Sequence, residues 1–112
     1  MKRDMDILRQ VVLAAEDGTL KTIAEESAAI RDHIKLALEA GLLGGPEVGA
    51  GHRPLGLLGL TPAGYNFAEL ARNTVIWGIV AARIEGSVGT TSFAVWLGLL
   101  EAEHKKRLKY AD

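Results

Sequence analysis

Three histidines, His33, His52 and His104, are the side chains best suited to proton transfer or metal ligation, and their neighbours argue against both. A metal pair on a helix needs a second imidazole or a carboxylate three or four residues away. Only Glu101, three residues before His104, meets that spacing, and an isolated Glu-x-x-His beside a run of lysines reads as a solvated helix pair. The chain has no cysteine, which removes disulfides, thiolate metal sites and thiol nucleophiles. Its serines and threonines stand outside any Gly-x-Ser-x-Gly elbow. The run Gly49-Ala-Gly-His52 has the glycines of a phosphate cradle but neither a following helix start nor a Lys-Ser/Thr pair, so it reads as a loop. The sequence therefore predicts no catalytic residue, no metal and no cofactor, and points to a binding protein.

The chemistry left to such a protein is recognition by charge and hydrogen bonding. Arg31, Asp32, His33 and Lys35 fall within two turns of one amphipathic segment, and His52 and Arg53 sit at the tip of a glycine-rich loop. Arg31 and Lys35 are four residues apart, the spacing that puts two cations on one helix face for phosphate contact; Asp32 and the nearby Glu39 partly cancel them. Arg53 with His52 has the chemistry of a minor-groove contact, against the plainer reading of a solvated turn. His33 borders an apolar stripe, so a boundary histidine bonded to backbone is the first reading and a partner contact the second. These six residues are the candidate nucleic-acid or partner surface.

Positioning them is the work of the segment from Ile30 to Leu43. Ile30, Ile34 and Leu38 recur every four residues beside Ala37, which predicts a helix with one buried stripe. Gly41 stops it, since glycine adopts a left-handed backbone at little cost. Before it, Met5, Leu8, Val12 and Ala15 predict a first helix over 4–16, ended by Asp17-Gly18, and Leu20 to Ile23 is expected as a short strand. Only six residues separate Ile23 from Ile30, so either the second helix is a single turn or, the reading preferred here, it is lost and residues 24–40 form one helix. Leu42-Leu43 and the segment 55–60 predict the two arms of a hairpin around a turn-rich tip, 44–54. Thr61-Pro62 has the form of a helix N-cap and first position, and Asn73-Thr74 that of another. A last helix, capped by Thr91 or Ser92, carries Phe93, Trp96, Leu97, Leu100 and Leu108 as an apolar stripe and Lys105, Lys106, Arg107 and Lys109 near its negative end.

At 112 residues the chain is long enough for one unstapled core. Its formal net charge is −1; residues 1–72 hold eight Lys or Arg against ten Asp or Glu, and residues 73–112 hold five against four. Neither part is the basic footprint that phosphate binding usually leaves, which lowers the case for nucleic acid. Apolar runs are broken well before about 18 residues, and Met1-Lys-Arg-Asp-Met-Asp6 leads into no signal-like stretch, so a soluble cytoplasmic protein with no membrane partner is expected.

Several phrases together carry a family resemblance: Met1-Lys-Arg-Asp-Met-Asp-Ile-Leu-Arg9, His33-Ile-Lys-Leu36 with Glu39-Ala-Gly-Leu-Leu43, Leu60-Thr61 with Gly64, and Asn73-Thr-Val-Ile-Trp77. In these the chain resembles a family of short phage and prophage proteins catalogued as domain of unknown function 2513. The helix closing on Glu-Ala-Gly-Leu-Leu and the Leu-Thr-x-x-Gly phrase are also similar to the third helix and wing exit of winged-helix proteins. The resemblance implies a mainly α fold with a small β-hairpin: a winged-helix-like core over 1–72 with two additional helices over 73–112. The apolar stripe of the last helix is expected to pack on the core or, if the two helices extend away from it, to form a homodimer interface through Phe93, Trp96, Leu97 and Leu100. The resemblance also implies a bacterial host cell as the setting. Duplex DNA is the expected partner by fold analogy, with a host protein complex, such as one of a defence or regulatory system, the alternative.

Overall fold

The computed structural model describes residues 4–46, 54–86 and 92–110. The fold is mainly α with a small antiparallel hairpin, in the order α1 (Met5–Asp17), α2 (Leu20–Ala24), α3 (Ala28–Glu39), β1 (Leu43–Gly44), a 3-10 turn (Leu55–Leu57), β2 (Gly59–Leu60), α4 (Pro62–Arg72), α5 (Thr74–Glu85) and α6 (Phe93–Tyr110). Two compact units divide between residues 68 and 69, inside α4.

In the first unit α1 starts where Asp4 accepts hydrogen bonds from the backbone N–H groups of Asp6 and Ile7, at 2.9 and 3.3 Å. It ends at Gly18, whose φ of 80° is a left-handed conformation natural to glycine. Met5, Leu8, Val11, Val12 and Ala14 line its buried face, and this face meets α3 and α2. Burying each large side chain of that face stabilises the fold by about 1.5–3 kcal/mol, so this helix is the centre of the unit.

Residues 20–24 form a helix and not the expected strand. Leu20 and Ala24 are both buried while Thr22 between them is exposed, a pattern that fits a helix and not a strand, in which all three would share a face. The expected continuous helix over 24–40 is likewise broken. Ser27 takes an extended backbone, φ −159° and ψ 142°, and its Oγ accepts from the N–H of Ile30 at 3.2 Å. A serine side chain that competes for backbone donors favours a helix start over a helix interior, and three residues, 25–27, suffice to separate α2 from α3.

The stop at the other end of α3 is as the glycine predicts. Gly41 has φ 76°, its N–H bonds to the carbonyl of Leu38 at 3.1 Å, and the N–H of Leu42 reaches back to Ala37 at 2.9 Å. Leu42 then lies fully buried over the last turn. The chain enters β1, which pairs antiparallel with β2 in the register Leu43 to Leu60 and Gly44 to Gly59. The second arm is shorter than the expected 55–60, because its first residues coil into the 3-10 turn.

The Leu60-Thr-Pro-Ala-Gly64 phrase locks this unit. Thr61 donates its N–H to the carbonyl of Leu42 at 3.0 Å and its hydroxyl to the carbonyl of Gly41, while the same Oγ1 accepts from the N–H of Gly64 at 3.0 Å. A Cβ on Gly64 would stand 2.0 Å from the carbonyl oxygen of Leu42, so only glycine allows α4 to start this close to the end of α3. Of the two aromatic residues at the start of α4, Phe67 is buried and Tyr65 is exposed.

In the second unit Asn73 caps α5, its Oδ1 accepting from the N–H groups of Val75 and Ile76 at 3.0 Å each. Ile76, Trp77, Val80 and Ile84 are its buried residues. The rings of Trp77 and Trp96 lie 4.6 Å apart, and Arg83 meets Glu103 at 2.8 Å. These pairings advance in the same sense along both helices, six residues on α5 and seven on α6. Trp96 and Leu100 are therefore interior residues, with Phe93 and Leu97 half-buried, so the face expected to meet a second copy is largely used within the protein. Among the described residues no helix is long and apolar enough to cross a membrane.

Candidate recognition surface

Of the four described residues among the six singled out from the sequence, Arg31 and Lys35 are exposed, Asp32 is half-buried and His33 is buried. His33 is only 2% exposed. Its Nδ1 lies 2.7 Å from the carbonyl of Ala29, one turn earlier, and its Nε2 lies 2.8 Å from the backbone N of Asp4. A carbonyl can only accept and an amide N–H can only donate, so the ring carries its proton on Nδ1 and accepts at Nε2. Both nitrogens are spent on backbone, which ties the start of α1 to the middle of α3 across 29 residues. His33 is a tie between helices and not a surface contact, which is the first of the two readings its position beside Ile30 and Ile34 allows.

Arg31 is exposed, yet its guanidinium donates to the carbonyl of Ala24 at 2.8 Å. Ala24 is the last residue of α2, whose final carbonyls have no partner within the helix, and Arg31 both satisfies one and complements the negative helix end. This side chain therefore fixes the α2–α3 corner and still leaves donors of its five for an outside acceptor. Lys35, one turn further along α3, is exposed; Asp32 between them is half-buried, and Glu39 is exposed at the end of the helix. His52 and Arg53 lie outside the described residues.

The outer charges of the α2–α3 corner are Lys21, Arg31 and Lys35 against Glu25, Glu26, Asp32 and Glu39, three against four, a net of −1. The glutamates occupy the turn that leads into α3. A corner of this kind presents directional donors and acceptors of both signs and no uniform potential.

A shallow open groove of about 400 Å³ runs along α1 and α2, lined by Asp6, Arg9, Gln10, Leu13, Asp17, Thr19 and Ile23 among others. No histidine is among these lining residues. Among the described residues no three His, Asp or Glu side chains gather as metal ligands would.

Two structural partners escaped the sequence reading. Ser27 as the start of α3 had a visible signal, a serine three residues before the buried Ile30, hidden by the helix-forming Glu25 and Glu26 before it and Ala28 and Ala29 after it. The pairing of the buried Glu103 with Arg83 joins residues 20 apart, and no local pattern announces it.

A protein-family model described as "Hypothetical protein (DUF2513)" matches residues 2–90, from before α1 to beyond the end of α5. No curated protein and no solved structure matches the chain.

Proposed function

The chain belongs to the DUF2513 family, and from that premise we propose that it is a non-enzymatic winged-helix-type binding module of phage or prophage origin, acting in the cytoplasm of a bacterial host. Duplex DNA is its partner in this reading, and α3 is the recognition helix. One observation carries it: α1, α2 and α3 contact one another, only residues 25–27 separate α2 from α3, and a two-stranded hairpin follows α3 directly. That order is the one in which a helix-turn-helix braces a recognition helix and a wing follows it. The short α2 restores the bracing element that the sequence alone argues against, and the Arg31 bond to Ala24 holds its angle to α3.

Arg31 and Lys35 supply the phosphate or base contacts of α3, Asp32 tunes the register, and His52 and Arg53, which lie outside the described residues, are kept from the sequence as further candidate contacts. The module regulates transcription by occupying a site and not by altering the DNA chemically. Fluorescence anisotropy of a labelled duplex in low salt tests this. Binding is expected to weaken as salt rises, and R31Q/K35Q is expected to flatten the log–log slope by about 0.9 for each phosphate contact removed. A wild-type chain that binds no duplex in low salt ends the DNA reading.

The charge balance of the α2–α3 corner favours a second reading, a protein-interaction factor that keeps the fold without nucleic acid, such as an inhibitor of a host defence or regulatory complex. Balanced charges suit a protein surface, where each sign finds a counterpart, better than a polyanion. A homodimer is kept as a subsidiary expectation, and sedimentation finding only a 12.0 kDa species at high concentration removes it.

A further inference from the structure

The α2–α3 corner carries a net charge of −1, so a DNA-binding chain must find positive charge elsewhere. The densest exposed cluster among the described residues is Lys105, Lys106 and Arg107 on α6. Because the α5–α6 pairings run in the same sense, α5 reaches its end at Glu85, two residues past Arg83, while α6 continues beyond Glu103 to Tyr110. Lys105, Lys106, Arg107 and Leu108 are all exposed, and four consecutive residues cover a full helical turn, so this end of α6 is solvated on every side.

The carboxylates do not fully neutralise it. Glu103 is buried on Arg83, which leaves Glu101 and, at the end of α5, Glu85 as the exposed acids against the three exposed cations Lys105, Lys106 and Arg107. The ordinary explanation, complementing the helix dipole, is too small. That end carries about half an elementary negative charge, and three full cations exceed it about sixfold.

We propose that the projecting end of α6 is an electrostatic arm that holds the phosphate backbone of nucleic acid without reading its sequence. The inference rests on the DNA reading above and adds phosphate affinity to the few contacts that α3 offers. The lysines act as point charges along the strand, and the Arg107 guanidinium can take two oxygens of one phosphate. Such contacts position a protein and carry no sequence information.

The test compares the full chain with K105Q/K106Q/R107Q, and with K105R/K106R as a charge-retaining control, on two duplexes of unrelated sequence across a salt series. Far-UV circular dichroism confirms that each variant is folded. The triple variant is expected to lose about tenfold or more in affinity at low salt, equally on both duplexes, and to flatten the slope by about 0.9 per contact removed, while the control keeps the wild-type slope. A triple variant with unchanged affinity and slope overturns the arm and leaves the DNA reading intact, returning these cations to an acidic protein partner or to the helix end alone. No duplex binding by the wild type removes both.

Discussion

Two of the helices that display cations, α3 and α6, use them in opposite ways. On α3, Arg31 is bonded to the end of α2, His33 is sunk into the core, and Asp32 and Glu39 offset what remains. On α6, Lys105, Lys106 and Arg107 are exposed near the helix end, beyond the last residue of α5. Similar residue types thus serve architecture in one place and remain exposed to an external charge in the other. The difference lies in how far each helix is enclosed: α3 is held between α1, α2 and the hairpin, whereas α6 outruns its partner.

The comparison breaks first where the enclosure of α3 is tightest. G64A puts a methyl group against the carbonyl of Leu42, and since backbone cannot step aside cheaply, the first unit is expected to lose about 3 kcal/mol or more, read from denaturant unfolding. An unfolding midpoint equal to wild type would mean that α4 does not start against the end of α3. H33A comes next, at about 2–3 kcal/mol. It strips the N–H of Asp4 of its acceptor and leaves a cavity between α1 and α3. Hydrogen exchange at the start of α1 should accelerate in the same variant.

S27A removes one cap bond and is expected to cost about 1 kcal/mol. If it costs nothing, α2 and α3 are not separately capped and the corner that sets the recognition helix is not fixed this way. The smallest effect belongs to α6: K105Q/K106Q/R107Q should shift stability by less than about 1 kcal/mol, since the replaced charges are exposed and glutamine is a good helix former. A large loss of stability there would show that these cations are structural after all and would erase the contrast with α3.

What could be read from the sequence follows the reach of each interaction. Gly41, Thr61 with Pro62, and Asn73 act within four residues, so the stop of α3 and the starts of α4 and α5 stand where local chemistry puts them. Two apolar arms around a glycine-rich tip likewise announced the hairpin. The segment at Leu20 was ambiguous because a five-residue apolar stretch satisfies strand and helix periods alike, and its burial against α1 and α3 decides between them. Ser27 was misread because the helix-forming residues around it outweigh a single cap in any local view. The surface was less legible than the fold. Whether His33 points in or out depends on an amide 29 residues away, and the exposure of the α6 end depends on where α5 stops.

The most direct test of the account is a nuclear magnetic resonance titration of the ¹⁵N-labelled chain with a short duplex. Shifts are expected at Lys21, Arg31 and Lys35 around the α2–α3 corner and at Lys105, Lys106 and Arg107, with His33 and the Trp77–Trp96 pair unmoved. Shifts confined to other surfaces, or none at saturating duplex, would contradict it.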